Sequence, residues 1–453
     1  MKIVIVGGGN VGHTLSEQLS NEGHDITVID GNAEVLSRSS ETLDVIGVRG
    51  NGASYDVQME AGVENADLLI AATSADEVNI LSCLLAKKIG AKNTIARVRN
   101  PEYNKPLAFL KEELGLSMVI NPEKETAKEI SRAISFPSAI SVSSLAEGKV
   151  SLMEFRMPAN HPIIGRPLHS MENHYDMDIL ICAVDRSGEA FIPNGDFVLK
   201  EQDKVHITGK MKDINTFLRL DPDHADHQKA RSVMIVGGGR ITYYLAMILI
   251  ESGVKVKIIE KKTEVCAELC ELLPRAMVIC GDGIEQELLD AEGIDETGAL
   301  VALTNMDEEN LLISMYAKSL NVPKVITKIN RLNYMNVIRN AGLDSVISPK
   351  HTAACQIVQY VRAMENTRGS KVNTMFKLID EQVEVLEFSA VKTTKHLDTV
   401  LKKLPLKPNI IVSALIKNGR LVIPHGNDRI SSGDVVVVAS SGYHIHDLND
   451  IFH

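Results

Sequence analysis

The sequence predicts an α/β protein with two tandem copies of a Rossmann-like parallel-sheet domain, each followed by a small α+β C-terminal module. Two observations carry this prediction. Near-continuous apolar strands alternate with amphipathic helices, which is typical of a parallel sheet covered on both faces. The pentapeptide IVGGG at 5–9 recurs at 235–239, an offset of 235 minus 5, or 230 residues, and later motifs keep almost the same offset. A constant offset across different elements indicates a tandem duplication.

The 453-residue chain therefore divides into four predicted domains. The Rossmann-like domains are predicted at 1–137 and 232–368, and the small modules at 138–221 and 369–453. Strand-like runs in the first small module surround turns, and about 80 residues suffice for such a module to fold. The polar stretch 221–231 is predicted to be a linker between the two halves.

The first strand ends in a glycine loop. It carries the fingerprint Gly7-x-Gly9-x-x-Gly12, and an amphipathic helix follows directly. Gly7 permits the tight turn, Gly9 lets the backbone approach a pyrophosphate, and Gly12 lets the helix pack closely on the strand. The backbone N–H groups of Gly9, Asn10 and Val11 then face an anion. This strand–loop–helix context predicts a nucleotide-binding site.

The second strand, Ile26–Ile29, ends on a carboxylate that suits a ribose. Asp30 would accept hydrogen bonds from the ribose hydroxyls. Gly31 and Asn32 come next, so no basic residue follows closely. A 2′-phosphate would meet an uncompensated carboxylate there, and the sequence therefore favours NAD or an adenine nucleotide over NADP.

Residues after the third and fourth strands extend the predicted site along the carboxyl edge of the sheet. Asn51 and Ala53 follow the third strand and would border an adenine, while Thr73 and Ser74 follow the fourth strand beside the nucleotide. Glu77 begins the next helix. It is either a ligand contact or an acid in the first turn, where it favours the helix dipole.

Two arginines lie at the end of the fifth strand and just after it. Arg97 and Arg99 alternate along it, so both are predicted to project from one face. One interpretation is a charge sensor for terminal phosphates, since a guanidinium binds phosphate oxygens with two hydrogen bonds. The other is a solvated strand end or a pair with Glu102.

The second half departs from the fingerprint at one position. Thr242 stands where the first half has Gly12, so the helix is expected to pack less closely and the loop to shift. Arg240 replaces Asn10 and either binds phosphate or fills the pocket. Occupancy of this second site stays open. Its candidate residues are Gly237, Gly239, Arg240, Glu260, Asp282 and Thr304.

Composition narrows the class of partner. The chain has 48 Lys and Arg against 59 Asp and Glu, a formal charge of −11, which argues against nucleic acid as the main partner. It contains no apolar run of the ~18 residues needed to cross a bilayer. The start resembles no signal segment, and six cysteines form no CxxC motif. We expect reduced thiols in a cytoplasmic protein without direct bilayer insertion.

No reaction centre is evident in the sequence. Ser-His-Asp and HExxH arrangements are missing, so we predict no catalytic residue and no metal site. The predicted function is nucleotide sensing without catalytic turnover. The alternative is an NAD-dependent dehydrogenase, which needs an acid–base group close to a nicotinamide.

Several motifs resemble the regulator-of-potassium-conductance family, also known as RCK or KTN, over essentially the full length. They are Gly7 to Gly12 with Asp30, the turn Gly50-Asn51-Gly52-Ala53-Ser54, Thr73-x-x-Asp76-Glu77-x-Asn79, Ala96-Arg97-Val98-Arg99-x-Pro101-Glu102-Tyr103, and Gly281-Asp282 with Thr304-x-x-Asp307-Glu308-x-Asn310.

The resemblance implies binding of NAD or NADH and of ATP or ADP. It also implies a homo-oligomeric ring, a tetramer, assembled through the Rossmann units. The expected partner is a membrane potassium-translocating subunit of the Trk type, so the chain is expected at the inner face of the cell membrane. The presence of Thr242 is a departure from the family pattern and leaves the expected fold unchanged.

Overall fold

The computed structural model describes residues 1–103, 114–171, 175, 177–221, 230–331, 338, 341–365, 372–379 and 382–453. The predicted linker at 221–231 lies outside them except at 221, 230 and 231, and so does the predicted boundary between 368 and 369. Two parallel and two antiparallel sheets form within the described ranges. The predicted fold class is therefore confirmed.

The first Rossmann unit is a six-stranded sheet of order β3-β2-β1-β4-β5-β6. Strands β1 and β4 are almost wholly buried, which explains their unbroken apolar runs. The strands are β1 (Lys2–Val6), β2 (Asp25–Asp30), β3 (Val45–Arg49), β4 (Leu68–Ala71), β5 (Asn93–Arg97) and β6 (Met118–Ile120). The helices are α1 (Asn10–Asn21), α2 (Ala33–Thr42), α3 (Tyr55–Glu60), α4 (Asp76–Ile89) and α5 (Pro122–Ser135).

The first small module is an antiparallel sheet of order β10-β9-β11-β8-β7. Its strands are β7 (Ala139–Leu145), β8 (Val150–Arg156), β9 (Ile179–Arg186), β10 (Glu189–Phe191) and β11 (Lys204–Gly209), and helix α6 (Met211–Leu218) follows. Phe155, Phe217 and Ile207 are among its buried core residues. Strand β8 is buried along most of its length, because Met153 packs in this core while Leu152 faces the second small module.

The second Rossmann unit repeats the first with the order β14-β13-β12-β15-β16-β17. Its strands are β12 (Ser232–Val236), β13 (Lys255–Glu260), β14 (Met277–Cys280), β15 (Ala299–Ala302), β16 (Val325–Lys328) and β17 (Val346–Ile347). Its helices are α7 (Arg240–Glu251), α8 (Thr263–Leu272), α9 (Gln286–Ala291), α10 (Asp307–Ser319) and α11 (Pro349–Glu365).

The second small module has the order β18-β19-β22-β20-β21, which is the first module's topology. Its strands are β18 (Val372–Leu378), β19 (Val383–Ser389), β20 (Ile410–Lys417), β21 (Arg420–Val422) and β22 (Val435–Ser441). The two modules share an apolar interface that includes Leu152 and Val437. Across it, the N–H of Ala146 donates to the Glu387 carboxylate at 2.9 Å.

The two Rossmann units exchange their last helices. Helix α5 packs on α7, and its residues Ile130 and Ile134 belong to the core of the second unit. Helix α11 packs on α1, and Ile357 and Val361 belong to the core of the first unit. Each parallel sheet therefore has one face covered by a helix from the other half, and the two units are one interlocked body.

Helices α5 and α11 also contact each other. Thr352 on α11 donates to the carboxylate of Glu129 on α5 at 3.0 Å, and burial raises the pKa of Glu129. Across the whole described portion of the chain, no helix combines the length and the apolar character that crossing a bilayer requires.

Candidate functional site

The glycine loop after β1 has a geometry that requires glycine at two positions. Gly7 has φ of 99°, a backbone conformation that L side chains rarely adopt. A Cβ on Gly12 would lie 1.8 Å from the carbonyl oxygen of Gly7, so any side chain would separate α1 from the loop. Around Gly9 a Cβ would meet no atom within 4 Å. The backbone of Gly9 is therefore open to a ligand at the N-terminus of α1.

Asp30 is held in place by the loop. Its Oδ2 accepts from the Gly8 N–H at 2.7 Å, and its Oδ1 accepts from the Asn32 N–H at 2.8 Å. Each carboxylate oxygen keeps a further lone pair for a ligand hydroxyl. The carboxylate thus has a fixed orientation at the carboxyl end of β2, as a ribose-binding residue requires.

A cavity of about 750 Å³ lies between the two Rossmann units. The first unit lines it with most of the residues predicted there, and the second unit lines it with the start of α7 and the ends of β15 and β16. Predicted site residues in the lining are Gly7, Gly9, Asn10, Val11, Asp30, Asn51, Thr73, Ser74, Arg97, Gly239 and Arg240. One cavity therefore joins the ribose-binding end of one half to the glycine loop of the other.

Cations from both units converge on this cavity. Arg97 comes from the end of β5, Arg240 begins α7, Lys328 ends β16 and Lys350 lies in the first turn of α11. Burial lowers the pKa of Arg97, Lys328 and Lys350. Positive charges held close together in a partly buried site favour a multiply charged anion such as a polyphosphate.

Arg97 and Glu123 form an incomplete pair. Arg97 Nη2 lies 3.5 Å from Glu123 Oε1, and both side chains are only 15% exposed. Among the described residues, Arg97 Nε and Glu123 Oε2 are buried and lack hydrogen-bond partners. A buried polar atom without a partner is unfavourable by about 1–3 kcal/mol. A bound ligand that supplies an acceptor to Arg97 would remove part of that penalty.

The motif Thr73-x-x-Asp76-Glu77-x-Asn79 fixes the strand end that carries Arg97. Asn79 Nδ2 donates to the Arg97 carbonyl at 2.9 Å, and Asn79 Oδ1 accepts from the Thr73 N–H at 2.8 Å. Asp76 accepts from the N–H groups of Arg99 and Asn100, both at 2.8 Å. The motif repeats in the second half.

There, Asn310 donates to the Lys328 carbonyl at 3.0 Å and accepts from the Thr304 N–H at 2.8 Å. Thr304 therefore supports the strand end that carries Lys328 and does not line the cavity.

Arg97 and Arg99 were expected on one face, but their guanidinium groups separate. Arg97 lines the cavity, whereas Arg99 Nε lies 3.4 Å from Asp76 and its Nη2 donates to the Ser74 carbonyl. Neither arginine makes the alternative pair with Glu102 in any described contact. The Ser74 carbonyl borders the cavity, so Arg99 supports its wall.

Two other predicted residues of the first half also lie beside the cavity lining. Ala53 donates its N–H to Asn51 Oδ1 at 3.0 Å and so stabilises the turn after β3. Glu77 accepts from the Tyr103 hydroxyl at 2.6 Å, and this hydrogen bond lowers the pKa of Glu77. Glu77 and Ala53 are not among the residues that line the cavity, and Gly12 lies beneath the loop.

Thr242 alters the second glycine loop without disrupting it. The side chain is fully buried, and its hydroxyl donates to the Gly237 carbonyl at 2.5 Å. Gly237 keeps φ of 104°, close to that of Gly7. Glu260 accepts from the Gly238 N–H at 2.6 Å, as Asp30 does from Gly8. The second loop therefore accepts the threonine, because its hydroxyl donates to the Gly237 carbonyl, the equivalent of the Gly7 carbonyl that a Cβ on Gly12 would approach.

At the carboxyl edge of the second half, the position equivalent to the ribose-binding edge of the first half carries an ion pair. Lys261 Nζ lies 2.5 Å from Asp282 Oδ2, and this contact lowers the pKa of Asp282. Glu260 and Asp282 do not line the cavity. The second unit therefore turns its loop and cations toward the cavity, while its own acidic edge is paired internally.

Comparison with known proteins matches three regions of the chain to domain families. Residues 3–122 and 233–349 match the TrkA-N domain, and residues 152–220 match the TrkA-C domain. The chain is 33% identical over 452 residues to the Trk system potassium uptake protein TrkA homolog of Archaeoglobus fulgidus, covering 100% of both chains. This protein belongs to the TrkA family. The resemblance drawn from its motifs is confirmed.

Further TrkA relatives and solved structures agree. The Trk system potassium uptake protein TrkA of Vibrio alginolyticus is 32% identical over 97% of this chain and 95% of that protein. The GsuK RCK domain has a TM-score of 0.63 at 18% identity, covering 97% of this chain and 92% of that chain. The GsuK channel bound to NAD has a TM-score of 0.62 at 18% identity, covering 97% and 77%. These structures share the fold.

Three charged cavity residues of this TrkA family member, Glu123, Lys328 and Lys350, were not predicted as site residues. Lys328 answers Arg97 at the end of the equivalent strand, so the repeat itself was a usable signal. Glu123 and Lys350 follow the equivalent prolines Pro122 and Pro349 at the start of the exchanged helices. No local pattern indicates that these helix starts border the glycine loops, since that depends on how the halves pack.

Proposed function

We propose that this protein is the nucleotide-sensing cytoplasmic regulatory subunit of a Trk-type potassium uptake system and that it works without catalytic turnover. The observation that carries the proposal is the cavity shared by the two Rossmann units. One end offers Asp30 and a glycine loop, and the other end offers cations from both halves. Because both units line the cavity, the affinity for a nucleotide depends on how the two units are positioned relative to each other.

The proposed ligand spans the two units. The ribose of NADH, ATP or ADP binds Asp30, the adenine lies beside Asn51, and the N–H groups at the start of α1 bind the first phosphates. Terminal phosphates extend toward Arg97, Arg240, Lys328 and Lys350. ATP carries one more phosphate than ADP toward these cations, so ATP favours the arrangement in which the two units lie close together.

Gating follows from differential affinity. A ligand shifts a conformational equilibrium only by the difference between its affinities for the two states. A change in the alignment of the units also moves α5 and α11, because each is packed on the opposite unit. Helix α5 leads directly into β7 of the first small module, and the Lys324 Nζ donates to the Ala139 carbonyl there at 2.5 Å. Nucleotide binding thereby changes the position of the small modules.

Two features support a binding role over the dehydrogenase alternative. Relatives of full length are named as potassium uptake proteins. Among the described residues that line the cavity, the side chains that could move a proton include Glu123, Lys328 and Lys350, and in the proposed pose they face the phosphates. A dehydrogenase would need one of them beside the nicotinamide instead.

We further propose a homo-oligomer, a tetrameric ring, that forms through helices α4 and α10. Their buried faces mix polar and apolar residues, with Asn79 and Ser314 among the buried ones. Their outer faces carry exposed apolar side chains among charged ones, with Leu81 53%, Leu312 56% and Met315 45% exposed. A helix whose apolar stripe faces outward needs another surface to cover it. Copies of this chain that pack through these stripes would cover them, and the ring would dock at the inner face of the membrane on the potassium-translocating subunit.

The test uses the full-length protein and a purified Trk-type potassium-translocating subunit in detergent. We expect the two to co-elute in gel filtration and ATP to change potassium flux through the reconstituted pair relative to ADP. Failure to associate under every nucleotide condition would contradict the proposal. So would steady NADH production from NAD by the purified chain with any member of a panel of hydroxy and amino acids.

A further inference from the structure

Two cysteines of the second Rossmann unit meet at the end of β13. Cys266 on α8 donates its thiol to the Glu260 carbonyl at 3.2 Å, and the Cys280 sulfur at the end of β14 lies 4.0 Å from the Lys261 carbonyl oxygen. These carbonyls belong to consecutive residues. Cys280 is also the register partner of Glu260 across the parallel strands β13 and β14, so it lies beside the strand end to which Cys266 is hydrogen-bonded. The side chains are therefore adjacent, although 14 residues (280 minus 266) separate them in the chain.

The two thiols differ in access to solvent. Cys280 is exposed, whereas Cys266 is 7% exposed. Burial and the neighbouring Cys280 raise the pKa of Cys266 to about 11, so it remains a protonated thiol at neutral pH. Cys280 is thus the accessible sulfur, and Cys266 is the sheltered one beside it. Among the described residues, no group of three or more potential ligands is arranged to hold a metal ion.

The fold does not require thiols at these positions. In the first unit, Leu36 stands at the position of Cys266 and Arg49 at that of Cys280, by offsets of 230 and 231 residues (266 minus 36 and 280 minus 49). Leu36 is a buried core residue, and Arg49 Nε donates to the Gly31 carbonyl. The thiol pair is therefore a property of the second unit and not of the Rossmann fold.

We propose that Cys266 and Cys280 are an oxidisable thiol pair that a hydroperoxide converts to a disulfide. The Cys280 thiolate attacks one peroxide oxygen and the O–O bond breaks, so that Cys280 becomes a sulfenic acid. The alkoxide or hydroxide that leaves takes up a proton from solvent and departs as an alcohol or water. The Cys266 thiol then attacks the Cys280 sulfur. The S–O bond breaks, water leaves, and the S–S bond forms. The two electrons given up by the thiols reduce the peroxide.

The thiol pair lies next to Glu260, which holds the glycine loop that lines the shared cavity. Glu260, whose carbonyl accepts from Cys266, uses its carboxylate to hold the Gly238 N–H at 2.6 Å. Gly239 and Arg240 follow directly and line the cavity. The disulfide would link α8 to β14 beside the end of β13. Glu260, at that end, is the residue whose carboxylate accepts from the glycine loop at Gly238.

The experiment treats the full-length protein with hydrogen peroxide, alkylates the remaining thiols after denaturation, and identifies cross-linked peptides by mass spectrometry. We expect a Cys266–Cys280 link that a dithiol reductant reverses. Cys280→Ser should abolish the link, whereas Cys270→Ser, an exposed cysteine one turn away on α8, should retain it. Full alkylation of Cys266 and Cys280 after peroxide treatment, or a link from Cys280 to Cys270, would overturn the proposal. Neither outcome depends on nucleotide binding or on the transporter.

Discussion

The hydroxyl of Tyr244 on α7 donates to the carbonyl oxygen of Arg99 at 3.2 Å. The same hydroxyl accepts from Asn121 Nδ2 at 3.0 Å, just before α5 begins. One side chain of the second Rossmann unit therefore holds the strand exit that follows Arg97 and the start of the exchanged helix. The two halves are joined by polar contacts at the cavity as well as by apolar packing beneath it.

Tyr244→Phe removes this connection and keeps the ring in the core. We expect the free energy of unfolding to fall by about 1–2 kcal/mol, because the Arg99 carbonyl and Asn121 each lose a partner. Chemical denaturation of the full chain measures the loss. Tyr243→Phe is the matched control, since Tyr243 is only half-buried, and an equal loss in both variants would contradict the role given to Tyr244.

Arg97→Ala tests the proposed phosphate sensor. We expect ATP affinity to fall about 10- to 100-fold, because a charge-assisted hydrogen bond contributes roughly 1.5–3 kcal/mol. Discrimination between ATP and ADP should disappear while NADH affinity stays mostly intact. Isothermal titration calorimetry measures all three ligands. Equal loss for the three ligands would argue that Arg97 supports the fold and does not sense charge, and Lys88→Ala, on the exposed face of α4, provides the control.

Alanine at either of two glycines of the first loop should weaken nucleotide binding, but only one of the two changes should lower the melting temperature. Gly12→Ala places a Cβ 1.8 Å from the Gly7 carbonyl, so we expect a lower melting temperature and loss of nucleotide binding. Gly9→Ala meets no atom within 4 Å and should leave the melting temperature nearly unchanged. Its methyl group faces the cavity, however, and we expect nucleotide affinity to fall at least about tenfold. Normal binding by Gly9→Ala would contradict backbone approach at this position.

Ile130→Ala tests the helix exchange. Ile130 is fully buried on α5 in the core of the second unit, so we expect a loss of about 2–5 kcal/mol in unfolding free energy. Lys128→Ala on the same helix is the control, because its side chain is 47% exposed. Hydrogen exchange should show lower protection in β12 of the second unit, because the Ile130 side chain packs in the core that contains β12. Lower protection confined to residues 1–121 would contradict the exchange.

The buried Lys324 gives the protein a pH-dependent stability. Burial lowers its pKa from 10.5 to about 8, against the opposing effects of Asp344 and Glu154. Between pH 8 and 10.5 the unfolded chain binds more protons at this site than the folded chain, so stability rises with pH across that window. Across this pH window, the free energy of unfolding of the wild-type protein should rise by up to about 3 kcal/mol relative to that of Lys324→Met.

Urea denaturation at pH 7.5, 9 and 10.5 measures this difference. A matched change at Lys88, which is exposed, should leave the slope against pH unaltered. A flat difference between wild-type and Lys324→Met would show that the lysine titrates as an ordinary surface group.

Sequence reasoning succeeded where the determinants are local. Gly12 and Asp30 are defined by their spacing around one strand–loop–helix turn, and the structure has both in the expected geometry. It failed where the determinants are distant in sequence. Glu123 and Lys350 reach the cavity only because α5 and α11 cross between the units, and an apolar helix face does not indicate which sheet will cover it. Arg99 was predicted to share a face with Arg97 for a related reason: the sequence does not show that its guanidinium pairs with Asp76 on the preceding helix.

The crossing of α5 and α11 bears on how this chain arose. A single half, with one Rossmann unit and one small module, would carry an apolar groove where the other half's terminal helix now lies. An unduplicated half would therefore need a second identical chain to cover its sheet. In the tandem chain the two copies are free to differ. One copy carries the Asp30 edge, and the other carries Thr242, the Lys261–Asp282 pair and the adjacent Cys266 and Cys280.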